Sequence, residues 1–320
     1  MVGKAQQLES AAILAREWEP PKPLGVWRTL GRFAVRKPLG AFGVVVIVVI
    51  GVAAVGTPVV SRYGAERVFE APNPHFNPSS LDPNDLSETI VDQKAAPTWE
   101  HWFGTDNYGR DSYARIIWGA RRTLNVGLSS LVIGTAIGVV IGTVSAYFRG
   151  LTDMIVQRLM DAFQSFPALV FLLLIATMAE LSVRNLIVAL GVVAVPAISR
   201  IVRSAVLQAR EMPYVEAARV LGATDLRIMA RHIIPNVMAP IIVIFTIGVG
   251  AIILAEASLS FLGLVPTAVS WGQMLDHGRQ FLLDSPWQAL FSGAAITLAV
   301  LAFNLAGDAL RDVLDPRLRL

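Results

Sequence analysis

"TLNVGLSSLVIGTAIGVVIGTVSAYF", Thr123–Phe148, runs for 26 residues without one charged side chain. A helix needs about 20 apolar residues to cross the hydrocarbon core of a bilayer. A strand of this length and apolarity would leave backbone groups without partners in lipid, so the run predicts a membrane-spanning helix. Five more runs flank it: Leu39–Val60, Ala162–Ala179, Asn185–Ser199, Val237–Leu259 and Trp287–Ala306. The expected fold class is therefore all-α, a polytopic membrane protein with six transmembrane helices. The fourth run is short, and Arg184 and Arg200 are expected to reach toward the interface from its two ends. Gly134, Gly138 and Gly142 repeat a four-residue spacing that lets helix backbones approach closely, inside this chain or against a partner.

Composition agrees. Hydrophobic residues make up 54% of the 320 and charged residues only 16%, against roughly 25% charged in soluble domains. The net charge of +3 is weak support for nucleic-acid binding. With no cysteine, disulfides, thiolate catalysis and thiolate-held metals are excluded. The first apolar run starts only near Leu39, so residues 1–37 do not read as a cleavable signal.

Six spans put both termini on one side. Lys4, Arg16, Lys22, Arg28, Arg32, Arg36 and Lys37 precede the first span, and Arg200, Arg203, Arg210, Arg219, Arg227 and Arg231 lie between the fourth and fifth. Basic residues mark the cytoplasmic face, so both termini are expected there, with a long external loop between helices 1 and 2. The organisation reads as a tail 1–38, a first span 39–60, an external loop 61–122, a core 123–309 containing a cytoplasmic loop 205–236, and a tail 310–320. The stretch "KAQQLESAAILAREW", Lys4–Trp18, reads as an amphipathic helix ended by Pro20, Pro21 and Pro23.

The cytoplasmic loop contains "YVEAARVLGATDLRIMARHIIPN", Tyr214–Asn236. It reads as a helix, a glycine turn and a second helix. A DNA reader needs a long recognition helix free to enter a groove; these helices are short and tied at both ends to spans, so no nucleic acid is expected. A loop folded back on the membrane surface is a second reading. The third is a docking knob. Pro213 suits the first helical turn, Gly222 the turn, Thr224 a cap and Asp225 the positive helix end. Ala217, Ala218, Leu221, Leu226 and Met229 would form its apolar surface, edged by Glu216 and Arg219.

The same residues carry a resemblance. Glu216-Ala217-Ala218, then Gly222, then His232-Ile233-Ile234-Pro235 resembles the E-A-A…G…I-x-L-P motif of permease subunits in bacterial ABC importers. His232 and Ile234 depart from that pattern, both at its far end. Three further stretches are similar to the dipeptide, oligopeptide and nickel permeases of DppC/OppC type: Phe103–Gly127, "AEASLSFLGL" Ala255–Leu264, and "NLAGDALRDVLDPRLR" Asn304–Arg319. The resemblance implies the type I permease fold in a bacterial cytoplasmic membrane. The implied partners are a second homologous permease subunit, two ATP-binding subunits and an extracytoplasmic solute-binding protein. It also implies that Glu216, Ala217, Ala218, Leu221, Gly222 and Pro235 form the ATPase-coupling loop. Transport would follow alternating access, with a dipeptide or short oligopeptide as solute and nickel as the alternative.

No phosphate-cradling G-x-x-x-x-G-K-[ST] loop occurs, so ATP would have to be bound by other chains. His75, His101, His232 and His277 are scattered, and no catalytic residue, metal site or cofactor is expected. A membrane enzyme lacks a catalytic cluster, and a self-sufficient secondary transporter would be expected to show repeats and charges at mid-membrane. Asp106, Arg110 and Asp111 read either as a cation site or as a local Asp–Arg pair holding the external lobe. Asp161 reads as a helix-end or inter-loop contact. Glu256, late in the fifth span, is expected to face protein as a structural partner or to line a path or gate.

Overall fold

The computed structural model describes residues 31, 33–73, 87, 89–178, 182–265 and 269–314. The amphipathic stretch Lys4–Trp18, Arg32, His75 and the end of the C-terminal motif lie outside them. The chain divides into two units, 1–38 and 39–320; the elements belong to the second, apart from Pro38 at the start of its first helix.

That unit opens with α1 (Pro38–Val55) and a short continuation, α2 (Thr57–Val60). A lobe follows. It contains one two-stranded antiparallel ribbon, β1 (Glu70–Pro72) on β2 (Thr89–Val91), with Ala71 opposite Ile90. The all-α reading thus gains a small β element inside the long loop. Next come α3 (Ser112–Phe148), α4 (Gly150–Ser165), α5 (Ala168–Met178) and α6 (Val183–Arg210). The chain ends with α7 (Pro213–Val220), α8 (Asp225–Ile228), α9 (Met238–Phe261), α10 (Trp271–Arg279) and α11 (Trp287–Leu314).

Four helices are long and apolar enough to cross a membrane as they stand: α1, α3, α6 and α11. The run from α8 into α9, Asp225–Phe261, makes a fifth. Among the described residues these five are joined by a bent pair, α4 and α5, which meet at 82° and make a sixth span if the two are taken together. Phe166 is extended there, at φ −85 and ψ 131, because the ring of Pro167 crowds the residue before it out of helical geometry. The expected third span, 162–179, is therefore corrected. Its first residues finish α4, and α5 alone, with 11 residues, reaches only about 16 Å.

Two other spans are longer than their apolar runs. α3 starts at Ser112 rather than Thr123, because the Asp111 carboxylate accepts from the Ala114 N–H at 2.7 Å and caps the helix there. α6 continues past Ser199 to Arg210. Arg200 does not end it; its guanidinium meets Asp161 of α4 at 2.6 Å. Arg203 grips Asp153 with two bonds of 2.6 Å. Ion pairs to a neighbouring helix let α6 run on where the sequence turns basic.

α3 and α6 form the centre of the packing. A Cβ added at Gly134 would lie 2.6 Å from the Gly191 carbonyl oxygen, and one at Gly142 would lie 2.5 Å from that of Ser199. At Gly138 the obstacle is Ile198, 2.8 Å away. The glycine repeat serves contact within this chain. Only hydrogen fits where the two backbones cross, and the close approach brings dispersion contact that lipid does not offer. α9 and α11 close in similarly at Gly307, whose added Cβ would meet Ile247 at 2.4 Å. α1 rests on α11 through Gly43.

Candidate functional site

At one end of the bundle the chain leaves α6, forms α7, turns and re-enters as α8. Pro213 occupies the first turn of α7, where an amide N–H would have no helical acceptor. Gly222 takes the left-handed conformation, φ +79. Two bonds close the helix: Ala223 N–H donates to the Ala218 carbonyl, and Gly222 N–H donates to that of Arg219, each at 3.0 Å. This is the Schellman arrangement, which satisfies carbonyls the helix end would orphan. Thr224 holds the cap position of α8, but its side chain makes no capping bond; its carbonyl accepts from Ile228 N–H.

The second helix does not remain separate. After α8 come a π turn, Met229–Ile233, and a 3-10 turn, Ile234–Val237, and the chain then continues as α9. Pro235 lies in the 3-10 turn. It donates no backbone hydrogen bond and its ring crowds the preceding turn, so the regular ladder shifts there.

The loop has a root and a crown. Val215, Ala218, Ile228, Met229 and Ile233 are buried. Glu216, Ala217, Val220, Leu221 and Leu226 are exposed, Val220 and Leu221 at 82% and 87%. Ala218 and Met229 are thus corrected from the expected outer surface to the root. Val220 belongs to the crown although the sequence reading passed over it. The signal was present: Ala217, Val220 and Leu221 recur at i, i+3 and i+4, one helix face. Together they make an exposed apolar ridge at this end of the bundle. Partial burial pushes the Tyr214 phenol above its usual range, so it stays neutral beside the ridge.

The knob is bolted to the bundle. The Tyr147 hydroxyl, at the end of α3, donates to the Asp225 carboxylate at 2.5 Å. Arg210 donates to the Tyr147 carbonyl at 2.6 Å and stacks on its ring. Arg149 pairs with Glu211. Held this way at both ends, the segment cannot present α8 to a nucleic-acid groove.

Glu256 lies at the opposite end and is wholly buried. Its Oε1 accepts from Ser260 Oγ at 2.9 Å, and the hydroxyls of Ser270 and Thr123 also face the carboxyl group. Arg122 on α3 is its electrostatic neighbour, and the Arg122 Nε and Nη2 are buried without a hydrogen-bond partner among the described residues. α10 wedges between the two helices. Trp271 Nε1 donates to the Ile116 carbonyl at 2.9 Å, and a Cβ on Gly272 would meet the Ala257 oxygen at 2.4 Å.

In the lobe, Asp106 and Asp111 do separate jobs. Asp106 accepts from the N–H groups of Tyr108 and Arg110 and from Arg110 Nε, at 2.8 to 2.9 Å. Asp111 caps α3 and meets His101 Nδ1 at 2.9 Å. Arg110 and Arg115 also reach Glu66. The Asp–Arg cluster holds the lobe on the start of α3. Among the described residues, no three side chains of His, Asp or Glu gather as a metal site would require.

Known proteins share this layout. Residues 135–320 match the family described as binding-protein-dependent transport system inner membrane component. The dipeptide transport system permease protein DppC of Alkalihalophilus pseudofirmus is 42% identical over 225 residues, 70% of this chain and 74% of that one. The glutathione transport system permease protein GsiD of Pectobacterium atrosepticum is 35% identical over 296 residues, 92% of each chain. Among solved structures, the inward-facing MetNI methionine ABC transporter aligns with a TM-score of 0.52 at 22% identity, over 63% of this chain and 96% of that one. That alignment speaks for the fold.

Proposed function

The chain belongs to the family of binding-protein-dependent transport system inner membrane components, and we propose that within it this permease passes short peptides through an ATP-driven importer. It is a multi-pass membrane subunit, and membership implies ATP-binding and substrate-binding components as partners. The peptide reading draws its support from relatives named for dipeptide and glutathione transport. In this proposal a second, homologous permease completes the path. Two ATP-binding subunits dock on the cytoplasmic side, one of them on α7, and a solute-binding protein delivers peptide to the lobe side.

The observation that carries the coupling role is the crown of the loop: Val220 and Leu221 at the end of α7 and Leu226 on α8 are exposed, while Asp225 of α8 is hydrogen-bonded to Tyr147 of α3, which Arg210 of α6 also holds. A partner that grips this ridge moves a rigid body rather than a loose loop. Glu216 and Ala217 share its exposed side, Ala218 seats it, Gly222 fixes its turn and Pro235 softens the joint to α9. Closure of the ATPases would shift this body and rock α3 and α9 to the outward-open arrangement. Glu256, sealed at the far end beside Arg122, is suited to act as a gate-side tie between α3 and α9.

Gentle purification of the tagged chain with mass analysis of its companions tests the assembly. Two ATPases and a second permease are expected. Uptake of labelled dipeptide by the reconstituted complex, with nickel in parallel, tests the solute. Nickel uptake without peptide uptake would overturn the peptide reading.

A further inference from the structure

Trp99, in the lobe, is 90% exposed. A tryptophan usually buries most of its ring, so bare indole on a folded surface calls for a partner. It does not stand alone. Arg62 Nη1 donates to the Trp99 carbonyl at 3.0 Å, and the same guanidinium lies 5.6 Å from the Trp102 ring and 6.0 Å from the Tyr63 ring. Arg67 stacks over Tyr63 at 5.4 Å. Trp102 is itself half exposed. The result is a patch of indole, phenol and two guanidiniums.

Its height along the bundle is fixed by two independent spans. α1 and α2 cover Pro38–Val60, about 35 Å of helix, enough to cross a hydrocarbon core of about 30 Å. Arg62 and Tyr63 are the second and third residues past that end. On α3, Trp118 Nε1 donates to the Tyr63 carbonyl at 3.4 Å. Trp118 stands five residues before Thr123, where the uncharged run begins, hence about 7.5 Å above it. The headgroup layer on each side is about 5–7 Å thick. α1–α2 therefore puts Arg62 and Tyr63 just past the hydrocarbon, and α3 puts the Tyr63 carbonyl near the outer margin of the headgroup layer, so the patch lies at the level of the headgroups. Trp and Tyr favour that layer, where the ring is half apolar and its N–H or O–H finds water, and arginine pairs with lipid phosphate there.

We propose that this patch anchors the lobe on the membrane surface, with Trp99 seated among the headgroups and Arg62 and Arg67 against lipid phosphates. The lobe then rests on the bilayer beside α1 instead of standing free of it. This rests on α1–α2 and α3 crossing the membrane, and not on the identity of the solute.

The test uses the intact importer in nanodiscs whose lipids are brominated near the carbonyl end of the acyl chain. Emission of Trp99 is obtained as the difference between wild type and Trp99→Phe, with Trp99→Tyr as a second reference should the first lower the yield. The anchor predicts that the difference emission loses its larger part in these lipids, and loses less when the bromines lie near the terminal methyl. Both variants keep peptide uptake. Difference emission indifferent to bromine at either depth would overturn the proposal. So would difference emission that shifts only when solute-binding protein is added, since the patch would then be a protein-docking surface.

Discussion

The hydroxyl of Tyr147 donates to the carboxylate of Asp225 across 78 residues of sequence, at 2.5 Å. That bond joins the end of α3, the longest helix, to the first turn of α8, the element that carries the exposed ridge into α9. A hydrogen bond to a charged acceptor contributes about 1.5–3 kcal/mol. Tyr147→Phe keeps the ring and its stacking with Arg210 but removes the bond. Uptake is expected to fall several-fold at matched expression, with ATP turnover less dependent on solute. Unchanged uptake and unchanged stimulation would show the bond to be dispensable.

The glycine crossing of α3 and α6 makes a stability prediction. A methyl at Gly142 would sit 2.5 Å from the Ser199 oxygen, whereas one at Gly51 on α1 meets nothing within 4 Å. Overpacking costs about 1–3 kcal/mol. Gly142→Ala is therefore expected to lower the melting temperature of the purified complex by several degrees, and Gly51→Ala to leave it unchanged or slightly raised. Equal effects at the two sites would contradict the packing argument.

At Gly222 a side chain would be strained by conformation and not by crowding, since φ is +79 and an added Cβ would find open space. Asparagine tolerates the left-handed region better than β-branched residues do. Uptake should accordingly rank Gly222→Asn above Gly222→Ala and both above Gly222→Val. A flat ranking would mean that the turn relaxes freely.

Sidedness can be read directly because the chain contains no cysteine. Glu100→Cys, exposed on the lobe, is expected to react with a membrane-impermeant maleimide in intact cells. Leu221→Cys, exposed on α7, is expected to react only after permeabilisation. The reverse pattern would invert the topology.

Apolar run length made the spans legible, and the E-A-A stretch made the knob legible, because both signals are local. Helix ends were harder. Arg200 looked like a boundary because Asp161, which neutralises it, lies on another helix 39 residues away in sequence; Arg203 is neutralised in the same way by Asp153. The bend at Phe166–Pro167 and the cap at Asp111 were written locally, in a proline and an aspartate, but were outweighed by hydropathy. Which face of α7 points outward depended on neighbours. Ala218 of α7 and Met229 of the π turn are buried, while Val220 is left bare. The partnership of Glu256 and Arg122 joins positions more than a hundred residues apart and had no local signal.

The central claim is that an ATP-binding subunit grips the ridge of α7. Leu221 is 87% exposed, so Leu221→Asp leaves the packed root intact and places a charge where the partner should close. The account predicts that the variant is extracted from membranes at normal yield, retains the second permease, and loses most of its ATP-binding subunit on gentle purification. Full recovery of that subunit, with normal peptide uptake, would contradict it.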